Sequence, residues 1–278
     1  TDVPSVGSEA LQRARGLSVV FPELPAASVR ARYHYVNQDN VCAGEQNGVA
    51  VFALFDGHGP SAEELSGDLL PRLLLDQILT QGVDPKSALV NVDEALKVQS
   101  TRSFHNGSTV TGAVVGPSGL SVFNLGDSRT AVIDDSGAVL FVSEEHQPTS
   151  RGETERIVRA GGFVEAGRIN GSIAVSRALG DHRYKLTDPP LMTTEADVTK
   201  IDISGKRVVY VVVMSDGMWV SHSFADVIAE VSRVIAALSP GATTPAELHL
   251  TGACLVDAFA DGLDDCTVAI ARVNISAD

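Results

Sequence analysis

Cysteine is scarce in this chain of 278 residues, which has only Cys42, Cys254 and Cys266. Three cysteines this far apart are too few for a disulfide framework and lack the spacing of a zinc site, so we expect reduced thiols with structural roles. Long apolar runs are also missing: nothing approaches the ~20 residues of a membrane helix, and no basic segment precedes an apolar one near the N-terminus. We therefore expect an intracellular protein, cytoplasmic or nuclear, without a membrane partner.

Basic residues are few, because 21 Lys and Arg stand against 35 Asp and Glu, which gives a formal net charge of -14 at pH 7. A nucleic-acid partner is improbable, since phosphate neutralisation requires clustered cations. An acidic surface favours solubility, and we expect a monomer. Carboxylates gathered in a cleft would, however, repel an anionic substrate unless cations were bound there first.

An apolar run of strand character, VFALFDGHGP, extends from Val51 to Pro60 and ends in acidic, glycine and histidine residues. A strand end of this kind presents a carboxylate and an imidazole on a rigid support. The same residues also fit a dinucleotide fingerprint, G-x-G-x-x-A, formed by Gly57, Gly59 and Ala62. This stretch alone leaves both interpretations open.

Periodicity divides the chain into runs of strands and runs of helices. Predicted strands cover residues 32–39, 48–55, 108–116, 119–126, 128–137, 138–143, 208–214 and 266–273. Predicted helices cover residues 61–79 with a kink or break near Pro71, 84–98, 152–162, 224–238 and 245–259. The four strands after residue 108 must be antiparallel because their connections are short. We predict an α+β fold and one domain over residues 1–278 whose ends lie together, with residues 1–30 as a candidate N-terminal extension.

Five aspartates stand beside predicted strand ends: Asp39, Asp56, Asp127, Asp216 and Asp264. Any one of them is more often a solvated turn residue than a ligand. If all five converge, their hard oxygen ligands would suit Mg²⁺ or Mn²⁺, and the lack of Cys and His companions argues against zinc.

The motifs FDGHG, GDSR, RINGSIAVSRALGDHRYK, SDGMW and DDCTVAI occur in this order and with these intervals. The ordered set, from about Arg32 to Val273, resembles the metal-dependent Ser/Thr protein phosphatases of type 2C. The resemblance implies a central antiparallel β-sandwich flanked on both faces by pairs of α-helices. It also implies a catalytic domain that acts on phosphoproteins with two Mg²⁺ or Mn²⁺ ions.

The resemblance also implies roles for individual residues. Asp56 would bridge the two ions, the Gly57 carbonyl would serve one of them, and Asp216 and Asp264 would bind the other. The Asp39 segment would complete the shell. His58 would protonate the departing Ser or Thr oxygen.

Three positions depart from the family pattern. Gln38 replaces a glutamate, so metal affinity is expected to be lower. His34 replaces the phosphate-binding arginine, and Arg32, two residues away on the same strand face, is the candidate substitute. Val220 replaces an aspartate that helps to hold a third ion, so that ion, with Asp127 as its candidate ligand, is expected to bind weakly or not at all.

Two alternatives were weighed against a phosphatase. The dinucleotide interpretation is weak, because it places Asp56 beside a pyrophosphate and explains none of the later carboxylates. A catalytically silent relative that acts as a binding or regulatory module is favoured only by Gln38 and His34.

Two further expectations concern architecture: Arg177 should pair with acidic neighbours near the site, and His182–Thr194 should form a flap over the cleft.

Overall fold

Two antiparallel sheets pack face to face in the computed structural model, which describes residues 17–24, 26–30, 36–99, 101–238 and 244–275. The strands are β1 Leu17–Val20, β2 Ala27–Val29, β3 Asp39–Gln46, β4 Val49–His58, β5 Gly107–Ser108, β6 Val110–Gly116, β7 Gly119–Leu125, β8 Arg129–Asp134, β9 Val139–Val142, β10 Val164–Glu165, β11 Arg168–Ile169, β12 Leu179–Gly180, β13 Asp197–Ile201, β14 Val208–Met214 and β15 Cys266–Ile275. The first sheet has the order β1-β15-β14-β8-β9, with β2 also on β15. The second has the order β12-β5-β4-β6-β7-β13, with β3 also on β4, and β10 and β11 form a separate hairpin.

Five α-helices lie within the described ranges: α1 Leu70–Leu75, α2 Pro85–Gln99, α3 Arg151–Arg159, α4 Phe224–Ala237 and α5 Pro245–Phe259. Leucines of α1 and α2 pack on the outer face of the second sheet, and apolar residues of α4 and α5 pack on the outer face of the first. The predicted sandwich, flanked on both faces by pairs of α-helices, is confirmed. In this part of the chain no helix has both the length and the apolar character needed to cross a bilayer.

The central strands are apolar on both faces because each face meets a different layer. In β14, Val209, Val211 and Val213 pack between the two sheets, whereas Tyr210 and Val212 pack against α4 and α5. The same alternation divides β4 between the sandwich core and the helices α1 and α2. This double burial explains why both strands are uninterrupted apolar runs in the sequence.

Of the predicted kink or break near Pro71, the break does not occur. Helical backbone continues through α1 because π-helical turns flank it at Leu65–Leu69 and Asp76–Thr80. A proline lacks the N–H donor and its ring clashes with the preceding turn, and a widened π turn accommodates both defects. Leu70 and Leu74 therefore remain fully buried on the second sheet.

A smaller apolar cluster lies beside the sandwich and is built from α3, β11 and the chain that follows. Its buried members include Ile157, Ile169, Tyr184 and Met192. Within the predicted flap, His182–Thr194, the side chains of Tyr184 and Met192 are buried in this cluster, whereas residues 186–189 are exposed. The flap over the cleft stays a prediction. We call residues 151–192 the accessory unit.

The first and last described strands are neighbours, since β1 pairs with β15 from Leu17 opposite Ile275 to Val20 opposite Arg272. β2 pairs with the other end of β15. The described part of the candidate N-terminal extension thus contributes two strands to the first sheet. The single-domain organisation over residues 1–278 stays a prediction.

The three cysteines are free, as expected, with Cys42 and Cys266 buried and Cys254 exposed. Burial raises the pKa of both the Cys42 and the Cys266 thiol to about 12. The two buried thiols therefore stay protonated at neutral pH and act as small apolar side chains.

Glu153 of α3 holds the accessory unit together through two arginines. Its carboxylate accepts hydrogen bonds from Arg177 Nη2 at 2.7 Å and from Arg156 Nη2 at 2.9 Å, and Arg177 Nη1 also lies 3.2 Å from Asp197 Oδ1. Burial raises the pKa of Glu153, but the hydrogen bonds from Arg177 and Arg156 outweigh it and lower the pKa to about 2. The predicted acidic partners of Arg177 are confirmed, although they join the accessory unit to β13 rather than line the cleft.

We expect Glu153→Gln to lower the free energy of unfolding at neutral pH by about 2 kcal/mol, after the shift in pKa is discounted for partial solvent screening. Because the folded pKa is lowered, this contribution is present above the unfolded value of 4.5 and is lost as the pH falls towards about 2. Denaturant unfolding followed by Trp219 fluorescence, near neutral pH and at about pH 3, measures the difference.

Glu155→Gln is the matched control on the same helix, because Glu155 forms only an exposed pair with Arg151 at 3.1 Å. Its expected loss is below about 0.5 kcal/mol at either pH. Equal losses in the two variants would contradict a special role for Glu153.

Candidate active site

The five predicted carboxylates stand where strands of both sheets begin or end. Asp39 is the first residue of β3 and lies opposite Asp56 of β4 in register. Asp127 lies in the connection between β7 and β8, Asp216 follows β14 and Asp264 precedes β15. Since these strands come from both sheets, the site lies where corresponding ends of the two sheets meet.

A cleft of about 390 Å³ opens at these strand ends. Its lining includes six of the predicted site residues: Asp56, Gly57, His58, Asp127, Asp216 and Asp264. Asp39 is set back from the lining. Its Oδ2 accepts a hydrogen bond from Ser215 Oγ at 2.8 Å, and its Oδ1 is buried without a hydrogen-bonding partner among the described residues.

Burial and mutual repulsion raise the pKa of four of these carboxyl groups. Burial is the larger cause for Asp39, whose pKa rises to about 7, and for Asp216, whose pKa rises to about 6 with a further contribution from Asp264. Burial and the neighbouring aspartates also raise the pKa of Asp56 and Asp127 well above the usual value. The site therefore concentrates negative charge that the protein itself does not neutralise.

The donor set fits a hard divalent cation in chemistry and in charge. Carboxylate and carbonyl oxygens are the preferred ligands of Mg²⁺ and Mn²⁺, and both the unpartnered Asp39 Oδ1 and the raised pKa values indicate a missing positive charge. In the described ranges, no three His, Cys, Asp or Glu side chains are already arranged as a coordination shell. The assignment of ligands to ions therefore belongs to the proposal below.

Gln38 supports the turn that follows β4. Its Nε2 donates to the Gly59 carbonyl at 2.9 Å and to Glu63 Oε2 at 3.2 Å, and its backbone N–H donates to Asp265 Oδ2 at 2.8 Å. Its backbone carbonyl accepts from the Gly57 N–H at 3.1 Å. Gln38 thus has a structural role in holding the end of β4, which carries Gly57 and His58, and the turn after it.

His58 contacts the carboxylate of Asp181, a residue that the sequence patterns did not single out. His58 Nε2 lies 2.5 Å from Asp181 Oδ2, and the His58 side chain is 27% exposed whereas that of Asp181 is 1% exposed. Nδ1 of His58 has no hydrogen-bonding partner in the described part of the chain. The contact fixes the ring and leaves its other nitrogen for a ligand in the cleft.

Register between the long strand β4 and the two-residue strands β5 and β12 brings His58 and Asp181 together. His58 pairs with Gly107 of β5, and Gly107 pairs with Gly180 of β12. A Cβ atom on Gly107 would lie 2.1 Å from Asp181 Oδ2 and 2.7 Å from His58 Nε2. The contact therefore passes directly over a glycine that has no side chain to obstruct it.

Sequence analysis missed Asp181 and Glu145. Asp181 follows Gly180 at a strand end, which is the signal that singles out the other aspartates, but its strand has only two residues and lies inside the irregular motif RINGSIAVSRALGDHRYK. Glu145 accepts a hydrogen bond from Trp219 Nε1 at 3.0 Å. Burial is the main cause of the raised pKa of Asp127 and of Asp216, and the negative charge of Glu145 is a smaller cause in both. No periodic pattern marks Glu145, because it lies in a loop.

The candidate phosphate-binding residues Arg32 and His34 lie outside the described residues, so their roles stay predictions. The described lining of the cleft includes two arginines, Arg168 and Arg183, both from the accessory unit. Both are exposed, and neither forms an ion pair with another described residue.

Comparison with known proteins gives one family. The family model described as protein phosphatase 2C matches residues 27–244, which include Asp39, Asp56, Asp127 and Asp216. A mouse protein named probable protein phosphatase 1N is 36% identical over 196 residues, covering 66% of this chain and 48% of that protein. Protein phosphatase 2C homolog 2 of Saccharomyces cerevisiae is 31% identical over 199 residues, covering 67% and 43%. The chain spans about half the length of the curated relatives that it matches.

Solved structures show the same fold. The crystal structure of a phosphatase from Toxoplasma gondii aligns with a TM-score of 0.71 at 18% identity, covering 93% of this chain and 95% of that one. The Ser-Thr phosphatase MsPP of Mycobacterium smegmatis, crystallised with cacodylate, aligns with a TM-score of 0.60 at 20% identity, covering 95% and 100%. At these identities the likeness concerns the fold.

We expect Gly107→Ala to lower the free energy of unfolding by about 1–3 kcal/mol, because the new methyl group must push Asp181 and His58 apart. A downfield proton signal from His58 Nε2–H in nuclear magnetic resonance spectra should be lost with it. Gly116→Ala is the control, since the nearest atom to its Cβ would lie at an ordinary 3.5 Å. A Gly107→Ala protein that retains both stability and signal would contradict this geometry.

Proposed function

The chain belongs to the protein phosphatase 2C family, and we propose that it is a metal-dependent protein phosphatase that hydrolyses phosphoserine and phosphothreonine monoesters. The observation that carries the proposal is the convergence of Asp56, Asp127, Asp216 and Asp264 with His58 on one cleft. An acidic cleft suits a dianionic phosphate only when cations are bound, which agrees with a metal-dependent reaction. Phosphoproteins are the substrates that the family implies.

We assign the carboxylates to two divalent cations. Asp56 would be shared by the two ions, Asp39 and the Gly57 carbonyl would hold one of them, and Asp216 and Asp264 would hold the other. When bound, Mg²⁺ or Mn²⁺ would supply an activated bridging water for in-line attack on phosphorus and positive charge for the phosphoryl oxygens.

A third cation is proposed to bind weakly or not at all. Asp127 is its candidate ligand, while Val220, which is 46% exposed, brings no oxygen. Glu145 adds negative charge near Asp127, but its carboxylate already accepts the Trp219 hydrogen bond. The third site therefore has fewer free oxygen ligands than the first two.

His58 is proposed as the general acid for the leaving oxygen. A serine or threonine alkoxide is strongly basic, so its departure requires a proton, and a positioned histidine supplies one. Asp181 holds Nε2, so Nδ1 is the nitrogen that can face the substrate oxygen. Arg32 and His34 are proposed to bind the substrate phosphate, and Arg168 and Arg183 add positive charge at the cleft.

The alternative is a catalytically silent relative with a binding or regulatory role. Gln38 favours it, because this amide supports the loop and offers no charge to a cation. The His58–Asp181 contact favours catalysis, because a binding module has no need for an oriented proton donor. The monomeric state and the intracellular location stay predictions.

We expect hydrolysis of an aryl phosphate in the presence of Mn²⁺, with loss of at least about 100-fold in turnover on chelation or in Asp216→Ala. Asp257→Ala, which removes an exposed carboxylate of α5, should retain the wild-type rate. Absence of turnover with Mg²⁺ and Mn²⁺ in the wild-type protein would favour the silent relative.

We expect His58→Gln to discriminate between substrates according to their leaving groups. Turnover of a phosphoserine peptide should fall about 100-fold or more, whereas that of p-nitrophenyl phosphate should fall much less, because nitrophenolate leaves without a proton. His249→Gln is the control, because His249 is a half-buried residue of α5 that is not part of the cleft lining. Equal losses on both substrates would exclude His58 as the general acid.

A further inference from the structure

Asp93 of α2 is a buried carboxylate outside the cleft that accepts hydrogen bonds from four donors. Its Oδ1 accepts from the Gly180 N–H at 2.8 Å and from His182 Nε2 at 3.1 Å. Its Oδ2 accepts from Lys185 Nζ and from Thr194 Oγ1, both at 2.9 Å. The side chain is 5% exposed, and the four donors use the full accepting capacity of a carboxylate.

The two donors to Oδ1 are the immediate neighbours of Asp181 in sequence. Gly180 and Asp181 both have left-handed backbone conformations, with φ values of 76° and 49°. For an aspartate this conformation is uncommon, so it requires support from its surroundings. Hydrogen bonds from residues 180 and 182 to one oxygen hold the turn on both sides of Asp181.

The Asp181 carboxylate depends on this backbone support for its position. Its Oδ2 contacts His58, while its Oδ1 is buried without a partner among the described residues. The Asp181 N–H donates to the Asn106 carbonyl at 3.0 Å, which fixes the turn against the β5 strand. Few side-chain contacts therefore orient Asp181, and its direction follows from the turn that carries it.

Lys185 extends the connection to the rest of the segment. Its Nζ donates to the Ala178 carbonyl and to Thr194 Oγ1, both at 2.8 Å, in addition to Asp93. The Asp93 carboxylate thus joins α2, on the outer face of the second sheet, to residues 178–194, most of which belong to the accessory unit. The turn at Asp181 lies inside this joined segment.

We propose that Asp93 is a positioning residue for His58 and acts through Asp181. The inference rests on the proposed function, in which His58 donates the proton to the leaving group. Without Asp93, the turn at residues 180–182 loses the two hydrogen bonds that hold it on the α2 side and keeps the one from Asp181 N–H to the Asn106 carbonyl. Asp181 then no longer holds the imidazole at the proton-donating angle. A misplacement of about 1 Å at a reacting group can cost about 100-fold in rate.

The test compares Asp93→Asn with the wild-type protein on two substrates. Asparagine keeps the size of the side chain but replaces one accepting oxygen with an NH₂ group, which cannot accept the hydrogen bonds that Asp93 receives. Turnover of a phosphoserine peptide is expected to fall at least about 10-fold, turnover of p-nitrophenyl phosphate less than about 3-fold, and the Michaelis constants should change little. Glu94→Gln is the matched control, because Glu94 is the next residue of α2 and its pair with Lys97 is exposed.

His182→Phe is a second variant, which removes one of the two anchors while retaining a ring of similar shape. Its turnover of the phosphoserine peptide should also fall more than its turnover of p-nitrophenyl phosphate, but by a smaller factor than in Asp93→Asn. This variant keeps the test available if Asp93→Asn does not fold. Equal losses on both substrates in the folded variants, or no loss, would overturn the inference. If His58→Gln itself lacks selectivity, the proposed general acid fails. Selectivity in His58→Gln without selectivity in Asp93→Asn and His182→Phe refutes only the role of Asp93.

Discussion

Repulsion among buried carboxylates at the ends of two sheets is the constraint on which the site depends. Burial and the neighbouring charges raise the pKa of Asp39, Asp56, Asp127 and Asp216. Folding therefore brings these carboxylates into positions where their charged forms are unfavourable. The rest of the sandwich supplies the stability, because its central strands are buried on both faces between helix pairs. A cation in the cleft would remove the repulsion, which couples metal binding to the stability of the folded state.

The proton donor is held by a separate set of interactions. His58, Gly107 and Gly180 lie in one row across three strands, and the absence of a side chain at Gly107 lets Asp181 reach the imidazole. Asp93 anchors the turn that carries Asp181 from the opposite direction. The carboxylates and the proton donor therefore share one strand, β4, but depend on different parts of the fold.

Sequence patterns predicted most of the sandwich because burial on both faces leaves a direct trace in β4 and β14. They also placed the strand-end aspartates, since each combines an acidic residue with a change of periodicity. The partnership of His58 with Asp181 left no such trace, because 123 positions separate the two residues and two-residue strands bring them together. The packing of Tyr184 and Met192 was missed for a similar reason, since isolated apolar residues in a polar segment have no period.

The central claim is that the strand-end carboxylates hold two divalent cations, and the anomalous scattering of Mn²⁺ in crystals of the protein tests it most directly. The account predicts two anomalous peaks on either side of Asp56, one beside Asp39 and the Gly57 carbonyl and one beside Asp216 and Asp264. A third peak near Asp127 should be weak or missing. Crystals grown with saturating Mn²⁺ that show no peak within coordination distance of Asp56 would contradict the account.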